Sequence, residues 1–144
     1  MRALLDVNVA IALLDPTHAL HNTAHQWWST DQGSGWASCP LTENGTVRIL
    51  SNPNYSKHKR SSPDEIIGLL KSFAGQTNHE FWQEDISLCD EKIFSREHIL
   101  SSGRITDVYL LALAVRHGGK LVTFDQNISL NAVRKATAQN LIIL

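Results

Sequence analysis

Four acidic residues stand out by their surroundings. Asp6 ends the apolar run Ala3-Leu4-Leu5, and Asp125 follows the apolar stretch "KLVTF" in the same way. Asp107 falls in the first turn of the helical pattern "ITDVYLLALAV", where the helix dipole favours an anion by about 0.3–1 kcal/mol. Glu43, in "CPLTENGTVRIL", shares a helical stripe with Val47 and Leu50, so the pattern turns it inward with the apolar face. A charge on that face needs a partner.

The cations nearest these acids, Arg48, Arg104 and Lys120, occur singly and at element ends or exposed-looking positions. Two carboxylates ~4 Å apart repel by about 4 kcal/mol at an effective dielectric of about 20, so a cluster of four either keeps protons or recruits a cation. Oxygen donors without His or Cys suit Mg²⁺ or Mn²⁺ rather than zinc. One or two such ions ionise a water and stabilise the charged oxygens of an in-line displacement at phosphorus. Each acid also has a plainer reading when taken alone: a turn residue for Asp6, a helix-start charge for Asp107, a loop start for Asp125. It is their conjunction that points to a site.

The elements that must bring them together are legible in the hydrophobic pattern. Strands are expected near Ala3–Leu5, Gly35–Cys39, roughly Glu80–Gln83, Lys120–Phe124 and Leu141–Leu144. Helices are expected over Val7–Leu14, along the stripe Leu20, Ala24, Trp27 and Trp28, from Pro40 to about Leu50, after the capping signature Ser62-Pro63-Asp64-Glu65, and from about Thr106 to His117. On the fourth of these, Ile66, Leu69, Leu70 and Phe73 form the apolar face. Strands alternating with helices imply right-handed crossovers and an α/β fold, a parallel sheet with helices on both faces. In such sheets ligands bind beyond the carboxyl ends of the strands, which is where Asp6 and Asp125 fall.

At 144 residues the chain is expected to form one domain, 1–144, with a core that needs no disulfide. Composition is ordinary for a globular protein, and no apolar stretch reaches the ~20 residues that span a bilayer. Asp6 interrupts the first apolar run before it could serve as a signal-peptide core, so a cytoplasmic protein is expected. Cys39 and Cys89, in no metal-binding spacing, read as two reduced, buried thiols. A net charge of −1 neither favours nor disfavours a nucleic-acid partner; local patches would have to hold one.

The segments "LLDVNV", "CPLTENGTVRIL", "ITDVYLLALAVRHGG" and "LVTFDQ", in this order, resemble the motif set of the PIN-domain ribonucleases, and most closely VapC-type toxins of bacterial toxin–antitoxin systems. The resemblance covers essentially the whole chain. It implies a five-stranded parallel sheet, a Mg²⁺- or Mn²⁺-dependent endoribonuclease acting on RNA, a homodimer, and a cognate antitoxin that covers the site. Carried over position by position, the metal-binding acids are Asp6, Glu43, Asp107 and Asp125, with Asn8 and Thr123 as polar residues that hold carboxylates in place. Asp6 and Asp107 would be direct ligands, Asp125 direct or through water, and Glu43 would orient or deprotonate the attacking water. Asn8 also reads as a helix N-cap, and Thr123 as a strand former.

Other features have competing readings. His18, His21 and His25 lie down one side of a helix, with no Cys or acid spaced to complete a zinc site. The four tryptophans read as packing, with Trp27 in a buried stripe. A haloacid-dehalogenase-type phosphatase would need an Asp two residues after Asp6, where Asn8 stands; a receiver-like module would need an acid near Cys39-Pro40. A non-catalytic RNA- or protein-binding module is a further alternative, which the lack of any divalent-dependent turnover would identify. Lys57, Lys59 and Arg60, in "KHKR", are either a solvated loop or a clamp for an RNA backbone, with Arg48 and Arg104 as further contacts. If the run is a clamp, its replacement by alanine lowers the slope of log K against log salt for single-stranded RNA by about 0.7 for each phosphate no longer neutralised. An unchanged slope in a filter-binding titration marks the run as a solvated loop.

Overall fold

The computed structural model describes residues 1–144. Short apolar runs bounded by polar or turn-forming residues become five strands: β1 (Ala3–Leu5), β2 (Trp36–Ser38), β3 (His79–Phe81), β4 (Lys120–Thr123) and β5 (Leu141–Ile143). They form one all-parallel sheet in the order β3-β2-β1-β4-β5. β1 is therefore central, and the carboxyl ends of β1 and β4 lie side by side. β3 begins a residue earlier than the hydrophobicity suggests. It is an edge strand, and its Phe81 is exposed.

Because successive strand residues face opposite ways, the sheet carries two cores. Ala3, Leu5, Trp36 and Val122 pack with helices α1 (Val7–Leu14) and α2 (His21–Asp31), joined by Leu70 and Phe73 of α4 (Pro63–Gln76). Leu4, Ala37 and Leu121 pack on the other face against α5 (Ile105–Arg116), whose Leu110, Leu111 and Leu113 are fully buried. Helix α3 (Pro40–Leu50) lies against α1 and α4, closing a smaller cluster of Ile11, Leu50 and Ile66.

Local signals set the helix ends. Pro40 occupies the first turn of α3, and the Ser62 hydroxyl accepts the Glu65 amide N–H at 3.2 Å to start α4. After α5 the chain turns through Gly118 at φ +65°, a left-handed conformation that only glycine adopts without penalty. No helix is long and apolar enough to cross a membrane.

Several sequence expectations need correction. Leu20 lies outside α2 and is exposed, and the buried residue of the tryptophan pair is Trp28 rather than Trp27. Leu69 is 42% exposed; the inward stripe of α4 runs through Ile66, Leu70 and Phe73, at i, i+4 and i+7. Cys39 is buried but Cys89 is exposed, both as free thiols. Lys120 is not exposed: it is buried at the amino end of β4, opposite the acids, and pairs with Asp31 at 2.9 Å. The histidine tract finds partners of its own, with His21 Nδ1 2.7 Å from the Ala12 carbonyl and His25 Nε2 3.2 Å from that of Leu13. These rings satisfy the free carbonyls at the end of α1.

One close approach sets where α3 sits. A Cβ on Gly45 would lie 2.7 Å from Val7 Cγ2, so α3 meets the first turn of α1 only because residue 45 has no side chain. Gly45→Ala is expected to destabilise the fold by about 1–3 kcal/mol through overpacking, and Val7→Ala in the same chain to recover most of that loss. Denaturant titration of the single and double variants checks this; additive losses would contradict it.

Candidate metal centre

Asp6 leaves the end of β1 and immediately caps α1, so one residue serves as strand end and helix start. Its Oδ1 accepts the Val7 amide N–H at 2.7 Å and its Oδ2 accepts the Thr123 hydroxyl at 2.8 Å. The Thr123 oxygen in turn accepts the Asp125 amide N–H at 3.0 Å. A backbone donor, a fully buried hydroxyl and a carboxylate thus form a directional chain across the β1–β4 boundary. Asp6 is only 7% exposed. Burial pushes its pKa above the ordinary value; the Thr123 and Val7 bonds oppose this, and the charge of Asp125 adds to the rise.

Asp107 enters from α5, in that helix's first turn. Its pKa is raised to about 6, first by burial, then by the charges of Asp6 and Asp125 and by the hydrogen bond its protonated carboxyl gives Asp125. Asp125 is held low by the opposite influences. The Asn127 amide donates to its Oδ1 at 2.8 Å, and Arg104 Nη1 reaches its two oxygens at 3.0 and 3.1 Å, outweighing a small desolvation cost. Three aspartates from three elements therefore meet on one rim and feel one another's charge. Arg104 is the cation that partly offsets them.

Glu43, on α3, has a hydrogen-bond partner of its own. Its Oε1 accepts the Ser38 hydroxyl at 2.6 Å, and Ser38 Oγ also lies 2.8 Å from His79 Nε2. His79 is held below the usual histidine range chiefly by burial and secondarily by Arg2, with Glu43 and Glu80 opposing. An inward carboxylate on α3 thus finds a buried hydroxyl donor at the end of β2, which fixes one of its two oxygens.

Asn8 also departs from expectation. Asp6 is itself the N-cap of α1, and Asn8 is exposed on the helix and makes no hydrogen bond to a carboxylate. The holding role falls to Thr123 and the Val7 amide. Lys57, Lys59 and Arg60 are exposed in the α3–α4 connection, where Lys59 lines a hollow with Asp15 and Tyr55, and Arg48 is exposed on α3. Of the basic residues singled out in the sequence, Arg104 is the one in contact with the carboxylate rim. Ser38 and His79 carried no sequence signal as site residues. Their pairing depends on the register of β2 with β3, and the one available hint was a serine ending an otherwise apolar strand.

The donor set suits a hard divalent cation. Asp6, Asp107 and Asp125 offer carboxylate oxygens only, and Arg104 is the one cation in contact with them. The side chains do not form a closed chelate as they stand, since no three His, Cys, Asp or Glu groups are drawn together tightly enough to cage an ion.

The PIN domain family matches residues 3–134. Ribonuclease VapC44 of Mycobacterium tuberculosis (strain ATCC 25618 / H37Rv) is 46% identical over 147 residues, covering 100% of both chains. Ribonuclease VapC39 of the same strain is 42% identical over 125 residues, covering 87% of this chain and 89% of the relative. Among solved structures, VapBC2 from Rickettsia felis bound to a promoter DNA fragment aligns with a TM-score of 0.56 at 13% identity, over 87% of this chain and 89% of that one. That likeness speaks to the fold. The chain belongs to the PIN-domain family. Within it, this protein is of the VapC type, as the resemblance of its four motifs implied, and the phosphatase and receiver-like alternatives fall away.

The trio carries a linkage consequence. Asp107 has a pKa of about 6 in the folded protein against an ordinary 3.8. The folded state therefore holds more protons between those values, and stability falls as pH rises through that window. Asp107→Asn removes the charge while keeping a donor toward Asp125. In chelator at pH 7.5 it is expected to raise stability by about 1–2 kcal/mol after solvent screening, roughly 3–6 °C in Tm, and to leave Tm unchanged at pH 4. A thermal melt series across pH checks this. Equal Tm values for the two proteins at pH 7.5 would contradict it.

Proposed function

We propose that this protein is the toxin of a type II toxin–antitoxin pair, a divalent-metal-dependent endoribonuclease that hydrolyses RNA phosphodiester bonds. The observation that carries the reading is the meeting of Asp6, Asp107 and Asp125 on one rim at the carboxyl edge of the sheet, with too little positive charge to balance them. VapC relatives that bear the name ribonuclease, matching along the full chain, support the same activity.

Asp6 and Asp107 would hold Mg²⁺ or Mn²⁺ directly, and Asp125 directly or through water. The bound ion supplies the charge that ionises a water and stabilises the oxygens of an in-line displacement at phosphorus. The chain's own residues prepare this. Thr123 and the Val7 amide fix both Asp6 oxygens, so the carboxylate is oriented before any ligand arrives. Arg104 commits Nη1 to Asp125 and keeps Nε and Nη2 without protein partners, which suits them to meet an RNA phosphate. Glu43 is the group to orient or deprotonate the attacking water.

A cognate antitoxin and a second copy of the chain are the expected partners. The solved VapBC2 complex and the exposed apolar residues Ile67 and Leu69 on α4 support a protein partner. We place the protein in the cytoplasm, where RNA is available to such an enzyme; the resemblance to VapC toxins supports this.

In a gel assay on labelled RNA, cleavage is expected to stop in chelator and return with Mg²⁺ or Mn²⁺. Asp6→Asn, close in shape but uncharged, is expected to lower the rate at least 100-fold, or about 2.7 kcal/mol in transition-state stabilisation. Cleavage by Asp6→Asn at the wild-type rate in excess Mg²⁺ would overturn the reading, and metal-free RNA binding without turnover would favour a binding module.

A further inference from the structure

Glu43 is held by a chain of its own. Ser38 is only 4% exposed, and its Oγ lies 2.6 Å from Glu43 Oε1 and 2.8 Å from His79 Nε2. A hydroxyl has one hydrogen to give. The carboxylate oxygen has none, so Ser38 donates to Glu43. Its oxygen must then accept from His79, which fixes Nε2 as the protonated ring nitrogen. The sequence of donors is His79 Nε2–H, Ser38 Oγ–H, Glu43 Oε1.

The sheet builds this arrangement. Trp36 pairs with His79 and Ser38 with Phe81 across the β2–β3 ladder, so His79 and Ser38 sit diagonally on one face, within reach of each other. The Trp36 ring packs against the imidazole with centroids 4.3 Å apart and limits its rotation. Glu43 Oε2 accepts no hydrogen bond from the protein, and the carboxylate borders an open cavity of about 280 Å³ shared with Trp36, Ser38, Leu70 and His79. One oxygen is thus tied down and the other is free.

We propose that Ser38 and His79 are positioning residues for Glu43, orienting its carboxylate so that the free oxygen is presented for the reaction. Their role parallels that of Thr123 and the Asp125 amide toward Asp6: in both cases a buried hydroxyl accepts from one side and donates to the acid. The inference rests on the ribonuclease reading above for what Glu43 does, but the donor chain itself is independent of it.

Two measurements test it. In the metal-free protein, ¹⁵N NMR is expected to show His79 as the Nε2–H tautomer; a predominantly Nδ1–H ring would overturn the donor chain whatever the activity. In single-turnover RNA cleavage at saturating Mg²⁺, Ser38→Ala and His79→Phe are expected to slow the step about 10–100-fold while leaving the half-saturating RNA concentration within about twofold. His79→Gln, which restores a donor near the Nε2 position, is expected to recover most of the rate. Wild-type rates in Ser38→Ala and His79→Phe, or a glutamine variant no better than phenylalanine at equal Tm, would overturn the positioning role. An active Asp6→Asn protein would instead overturn the ribonuclease reading, while the tautomer would still decide the donor chain.

Discussion

Like-charge crowding at one edge of a parallel sheet is the constraint on which the rest of the structure turns. β1 and β4 are neighbours with their carboxyl ends aligned, so the acids that follow them, Asp6 and Asp125, are brought together by strand order. The first turn of α5 adds Asp107 to the same rim. Two carboxylates ~4 Å apart cost about 4 kcal/mol at an effective dielectric of about 20. The fold tolerates three by distributing the strain: Asp107 keeps a proton up to a pH of about 6, Arg104 neutralises Asp125, and buried donors hold Asp6. A fold selected for stability alone would have little reason to assemble them.

Hydroxyl groups do much of the positioning. Thr123 and Ser38 are both strand-end residues, both buried, and each passes a hydrogen bond to an acid on another element. This geometry joins elements that are far apart in sequence. Thr123 lies 117 residues from Asp6, and Ser38 lies 41 from His79. The two cores beneath them keep the strands in register, so the donors remain aimed. Gly45 contributes at the level of packing, letting α3 lie against the first turn of α1, close behind Asp6.

Much of this was legible in the sequence. Apolar runs ended by acids mark β1 and β4 with their site residues, and the all-parallel five-stranded sheet follows from strands separated by helices. The apolar run halted by Asp15-Pro16 locates α1, and Pro40 with the stop at Asn52-Pro53 locates α3, because proline suits a first turn and cannot continue a helix. Long-range pairing was not legible. Nothing local in "CPLTENG" tells that Glu43 bonds Ser38, because that depends on the direction of a flexible side chain. His79 gains its neighbour only through strand register, and Lys120 its burial only through Asp31, 89 residues away. Asn8 resembles a cap only while Asp6 is taken for a strand end alone, and Asp6 fills both roles.

The central claim is that Asp6, Asp107 and Asp125 together hold one divalent cation. Crystals of the protein soaked in Mn²⁺ and measured at the manganese absorption edge test it most directly. The account predicts an anomalous peak between the three carboxylates, within about 2.0–2.3 Å of oxygens from Asp6 and Asp107, with Arg104 drawn off Asp125. Ordered manganese bound elsewhere, with the trio still closed on Arg104 and the Asp107 proton, would contradict it.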